Sequence, residues 1–124
     1  MKEYLANKAD VLGIGVGLAC AIHCALMPLI LTSSVFAGSV FFSHWFLDLA
    51  FFLASLFFAF HSLLKSFGSV HRNPLPIVMA CIGFAFISYV ILTHDHSKVM
   101  WSVAGGLFLA AAHILNLKFK FKKA

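Results

Sequence analysis

The sequence predicts an all-α membrane protein, an antiparallel four-helix transmembrane bundle with both termini in the cytoplasm. Three observations carry this. The 124 residues are 62% hydrophobic and only 10% charged, with a mean hydropathy of +0.99, far from water-soluble domains. Four apolar runs are each long enough to cross the roughly 30 Å hydrocarbon layer, which takes about 20 residues of helix. Eight of the nine Lys and Arg residues fall on one side when the runs alternate, as the positive-inside rule requires of the cytoplasmic face. The same composition excludes a disordered tail, a coiled coil and a nucleic-acid-binding domain, so no nucleic-acid partner is expected.

The runs extend from about Val11 to Thr32, Trp45 to Leu64, Leu75 to Thr93 and Val99 to Leu117, and together they make the whole chain, 1–124, one transmembrane domain. The connections are short: Ser33 to His44 with Gly38, Lys65 to Pro74 with Gly68 and the breaker Asn73-Pro74, and His94 to Lys98. Short connections force antiparallel neighbours. Lys2, Lys8, Lys65, Arg72, Lys118, Lys120, Lys122 and Lys123 lie on the cytoplasmic side and Lys98 alone on the other, which places His44 and His94-Asp95-His96 outside. A multi-pass protein of a bacterial inner membrane is the expected setting. The first run is too long for a signal-peptide core. Three Cys are too few for a disulfide framework.

Each helix has a face suited to an interior. In the first span Asp10, Gly13, Gly17, Cys20 and Cys24 recur at steps of three and four, the spacing of one helix face. Gly13 and Gly17 also form a small-xxx-small pair, which permits close helix approach in lipid. In the fourth span Ser102, Gly106, Ala110, His113 and Asn116 make a second such seam, while Asp48, Ser55 and Ser62 mark the second span and Cys81 and Ser88 the third.

The chemistry concentrates in Cys20-Ala-Ile-His23-Cys24. Two thiols at i and i+4 sit about 5–6 Å apart at Cβ, so both sulfurs can reach one ion, with His23 approaching from the flank. Pro28 leaves the Cys24 carbonyl without its usual helical donor. Thiolate and imidazole select soft or borderline ions such as Cu(I), Zn(II) or Hg(II) over Mg or Ca. At 1.5 Å of rise per residue, Cys20 and Cys24 lie about 18 and 12 Å below the outer end of their span. The candidate metal residues are therefore Cys20, Cys24, His23, His113, Asp10 and His61, since ionisable groups within a span are functional candidates by default. His44, Asp48, His94, Asp95 and His96 form an outer collecting patch, and Asp10 and His71 an inner exit. The Lys118 to Lys123 tail reads as a stop-transfer and anionic-lipid anchor.

Asp10, the Gly13 to Gly17 stretch, Cys20-Ala-Ile-His23-Cys24, Pro28, His71-Arg72, Gly105-Gly106, His113 and Asn116 with the basic tail together resemble the MerC-type family of small mercury-resistance membrane proteins. The resemblance spans essentially the whole chain. It implies a four-span inner-membrane protein that moves mercuric ion inward through the first-span cysteine pair. Uptake members of such a group are expected to carry a further cysteine pair toward the cytoplasmic end; here no Cys follows Asn116, and zinc stays open as cargo.

The expected function is thus transport of a soft or borderline divalent ion, Hg2+ or Zn2+, with no enzyme activity and no permanently bound cofactor. The bilayer and the metal ion are the expected partners, and a homodimer would add helices to a path that four spans leave narrow. The alternatives are a metal sensor or subunit that binds without transport, a thiol-redox protein, and a haem carrier using His113 with His61 or His23.

Overall fold

The computed structural model describes the backbone of residues 2–32, 39–93 and 96–123, and their side chains except at 2, 3, 5, 6, 28–32, 39–44 and 96. The described residues are helical except for the turn at 70–74, with no strand among them. Helix α1 spans Lys2–Thr32. Helix α2, Ser39–Ala59, passes through a single π-turn at Phe60–Leu64 into the short α3, Lys65–Ser69, and α4 and α5 cover Leu75–Thr93 and Val99–Lys123. Among the described residues, four segments are long and apolar enough to span a membrane: Asn7–Met27, Trp45–Ser69, Leu75–Thr93 and Val99–Lys123. The bounds of the third equal those expected from sequence. The second and fourth run past the expected Leu64 and Leu117, and the first begins earlier, at Asn7, because Asp10 and Lys120 are paired inside the bundle instead of ending it.

Helix α5 is the hub, packing most extensively against α1 and α4, while α2 lies against α1. Small residues set these crossings. A Cβ at Gly106 would stand 2.8 Å from the Gly17 carbonyl oxygen, and one at Gly83 would stand 2.8 Å from the Gly105 carbonyl oxygen. Both pairs bring backbones into contact, as association in lipid favours when dispersion is the main attraction. The buried face of α4 is consequently Pro76, Ala80, Gly83 and Ile87. The polar seam expected there is not used: Cys81 is exposed and Ser88 only half-buried, since small size and not polarity decides which face meets α5. Large apolar side chains such as Ile22, Phe57, Ile82 and Ile114 point outward, where lipid solvates them.

The turn between α3 and α4 is shorter than the sequence suggests, because the helix continues to Ser69. The amides of Val70 and His71 both donate to the Ser66 carbonyl, at 2.8 and 3.1 Å. Arg72 then takes a left-handed conformation at φ 48°, and Asn73 caps α4, its Oδ1 accepting the Leu75 amide at 3.0 Å. Asn73 followed by Pro74, just before α4, is a favoured helix start. This turn brings His71 back beneath the bundle.

Candidate functional site

Both expected seams are buried. Asp10, Gly13, Gly17, Cys20 and Cys24 all face the interior from α1, and Ser102, Gly106, Ala110, His113 and Asn116 all face it from α5. Their side chains gather into two clusters, separated along α1 by the ten residues from Asp10 to Cys20, or about 15 Å. Between them Gly17 packs backbone to backbone against Gly106 and Ala110, and Gly13 faces the His113 ring.

The first cluster is built on the thiols. Cys20 and Cys24 are 2% and 5% exposed and belong to the hydrophobic core with Ala59, Leu63 and Leu109. Their sulfurs are hydrogen-bond neighbours, and the Ser102 hydroxyl of α5 lies beside Cys24. From α2, Asp48 approaches the same end: its Oδ1 lies 3.4 Å from His23 Nδ1, and the His23 ring packs on Phe51 at 5.6 Å. One ligand atom each from His23, Cys24 and Asp48 all fall within 4.8 Å of one another. Asp48, read from sequence as part of an outer patch, thus joins the thiol cluster. Sulfur, nitrogen and oxygen donors converge from two helices, and a tetrahedral ion such as zinc takes this donor mixture.

The second cluster centres on Asp10, which is fully buried. His113 Nδ1 donates to Asp10 Oδ1 at 2.9 Å, Asn116 Nδ2 reaches both carboxylate oxygens at 3.0 Å, and Lys120 Nζ donates to Oδ2. The hydroxyls of Ser62 and Ser66 complete the set at 3.2 Å from Asn116 Nδ2. Both serines lie in or just after the π-turn, which turns them together toward α5; such insertions recur at functional sites. The Asn73 amide donates to His71 Nδ1 at 3.1 Å, which leaves His71 Nε2–H to donate to Asn116 Oδ1 at 2.8 Å. That bond fixes the Asn116 amide with its NH2 toward the carboxylate. Gly13 makes room for the His113 ring, since a Cβ there would overlap it.

The structure therefore separates the sequence candidates. Cys20, Cys24 and His23 stand together with Asp48; Asp10 and His113 stand together with Asn116 and His71. His113 is a partner of Asp10 and not a neighbour completing the thiol shell. His61 joins neither cluster: it is exposed, with its ring stacked on Phe57 at 6.2 Å. His94, Asp95 and the side chains of His44 and His96 lie outside the described residues. Sequence reasoning missed Lys120, which is 8% exposed and bound to Asp10 instead of to lipid, although Lys118, Lys122 and Lys123 are exposed as an anchor would be. The signal was present, since Lys120 is the next step of four after Asn116 in the α5 series.

A family model described as MerC mercury resistance protein matches residues 10–118, from the central carboxylate to the start of the basic tail. The chain belongs to the MerC mercury resistance protein family. No curated protein and no solved structure matches the chain significantly. Family membership, with four membrane-spanning helices, makes this a multi-pass mercury-resistance membrane protein of the metal-transport kind. The MerC family is of transporter type and is not known as an enzyme family.

Proposed function

We propose that this MerC-family protein carries mercuric ion inward across a bacterial inner membrane, with Cys20 and Cys24 as the ligands at mid-membrane. The observation that carries the reading is the pair of buried thiols one helical turn apart at the α1–α5 seam, with His23 and Asp48 at their side. Two thiolates around one divalent ion form a neutral unit, which removes most of the cost of placing a charge in low dielectric. Ionising the thiols releases protons as the metal binds. At rest the cluster behaves as small apolar packing, so the empty carrier is stable without its cargo. An inward membrane potential contributes about 2.3 kcal/mol per charge per 100 mV, and twice that for a divalent cation.

Zinc is a second cargo, favoured by Asp48: a carboxylate within reach of His23 and Cys24 is a poor addition for mercury and a good one for a borderline ion. The test is metal accumulation in cells expressing the wild type or Cys20→Ser/Cys24→Ser, offered Hg(II) and Zn(II) separately. The wild type is expected to accumulate mercury several-fold above cells without the protein, and the double variant to return to background. Wild-type accumulation at background, beside metal binding by the purified protein, would replace the carrier with a sensor or subunit that binds without moving its ion.

A further inference from the structure

We propose that the Asp10 cluster is a second cation site on the ion's route, held closed in the resting protein by the chain's own ammonium group, that of Lys120. The inference rests on the transport reading for that route; the site itself is testable without transport.

The cup is made of the donors that a cation requires. Asp10 supplies a fully buried carboxylate. His113 Nδ1 lies 2.9 Å from Asp10 Oδ1, close enough for nitrogen and oxygen to hold one ion. Ser62 and Ser66 turn their hydroxyls inward from the π-turn and α3. A cation already sits there: Lys120 Nζ is bound by Asp10 Oδ2 and lies 3.3 Å from Ser62 Oγ.

The occupant is suited to leave. An ammonium is a compact point charge on a flexible four-carbon stem, without the forked grip an arginine would take on the carboxylate. Lys118, Lys122 and Lys123 on the same helix end are exposed, so the Lys120 head has solvent within reach and can snorkel out while its stem stays on the bundle. When a divalent ion takes its place, the carboxylate neutralises one of two charges. The remaining positive charge is costly in a buried setting, which makes the stay brief and favours onward release.

The order of ligands along α1 fits this role. Sulfur holds the ion at Cys20 and Cys24, and oxygen with imidazole receives it about 15 Å further toward the basic end of the bundle. A soft or borderline ion binds the second set more weakly than the first. Capture and discharge then differ by ligand chemistry, and Lys120 reseals the cup once the ion has gone. His71, bonded to Asn116 Oδ1 from the α3–α4 turn, covers the cup from below.

The experiment uses the full-length protein in detergent with Cys20, Cys24 and Cys81 replaced by Ser, so that no thiol competes, and Zn(II) alone as the probe. Lys120 is read by brief labelling with an amine-reactive reagent and mass spectrometry, relative to Lys122 in the same molecule. Zinc is expected to raise Lys120 labelling several-fold, and Asp10→Asn to abolish the zinc effect. In the same background Lys120→Met is expected to retain one zinc per chain, at least tenfold more tightly than the parent. Lys120 labelling that stays unchanged at saturating zinc, or a folded Lys120→Met protein that retains no zinc, would overturn the proposal. Either result beside intact wild-type uptake faults this inference alone. Lost uptake beside a zinc-responsive Lys120 faults the transport reading alone.

Discussion

The middle of the bundle and its basic end both bury polar side chains between α1 and α5, but they satisfy them in opposite ways. Around Asp10, strong donors and acceptors from α1, the π-turn, α3, the following turn and α5 meet in one closed network. Around Cys20 and Cys24 the buried groups are thiols, weak hydrogen-bonding partners that sit among Ala59, Leu63 and Leu109 at little cost. The first arrangement is expensive to break and binds the helices together. The second is cheap to leave empty and becomes strong when a soft cation arrives. On the proposed function, the closed network serves stability and the thiol pair the first capture of a soft cation, at different depths of the same seam.

Mutations that strike the two depths separately should pull stability and metal binding apart. The largest stability effect is expected for Asp10→Ala, which leaves the buried His113 and Asn116 donors without their shared acceptor. Each buried donor left unsatisfied costs about 1–3 kcal/mol, visible as a large fall in the thermal midpoint of the solubilised protein. Next comes Gly106→Leu, whose side chain would meet the Gly17 carbonyl oxygen and the Ala21 Cβ, already 2.8 and 3.1 Å from an added Cβ. Overpacking of this kind costs about 1–3 kcal/mol, and because it spreads α1 from α5 it should also weaken mercury binding at Cys24, which leans on Ser102. A smaller loss, about 1 kcal/mol, is expected from Asn73→Ala, which removes the α4 cap. Its diagnostic readout is increased backbone hydrogen exchange at Leu75 and in the His71 turn, with the thiol cluster unaffected.

Much of this architecture is legible in the sequence because lipid leaves few choices. Backbone groups must be satisfied within each span, so runs of apolar residues mark helices, and the bounds of α4 were readable to the residue. The steps of three and four through Asp10, Cys20 and Cys24, and through Ser102 and Asn116, identify the buried faces of α1 and α5 for the same reason. What the sequence does not carry is which faces meet. His23 and Asp48 lie on different helices, and Lys120 reaches Asp10 from 110 positions away; neither pairing follows from spacing within one helix. Helix α4 shows the converse. Polarity pointed to Cys81 and Ser88, but the backbone approach at Gly83 and Gly105 selects the opposite side. The π-turn was equally hidden, since nothing in Phe60–Leu64 announces an extra residue in the turn; its effect appears only in the shared orientation of Ser62 and Ser66.

The measurement that bears most directly on the division between the two depths is Hg(II) entry into proteoliposomes containing the purified protein. Wild type, Cys81→Ser and Cys20→Ser/Cys24→Ser would be compared at equal reconstituted amounts. Saturable entry is expected for the wild type and, unchanged, for Cys81→Ser, whose thiol faces lipid, with entry in the double variant falling to that of protein-free liposomes. Entry that persists without Cys20 and Cys24, or that disappears with Cys81, would contradict the assignment of the buried pair as the carrier.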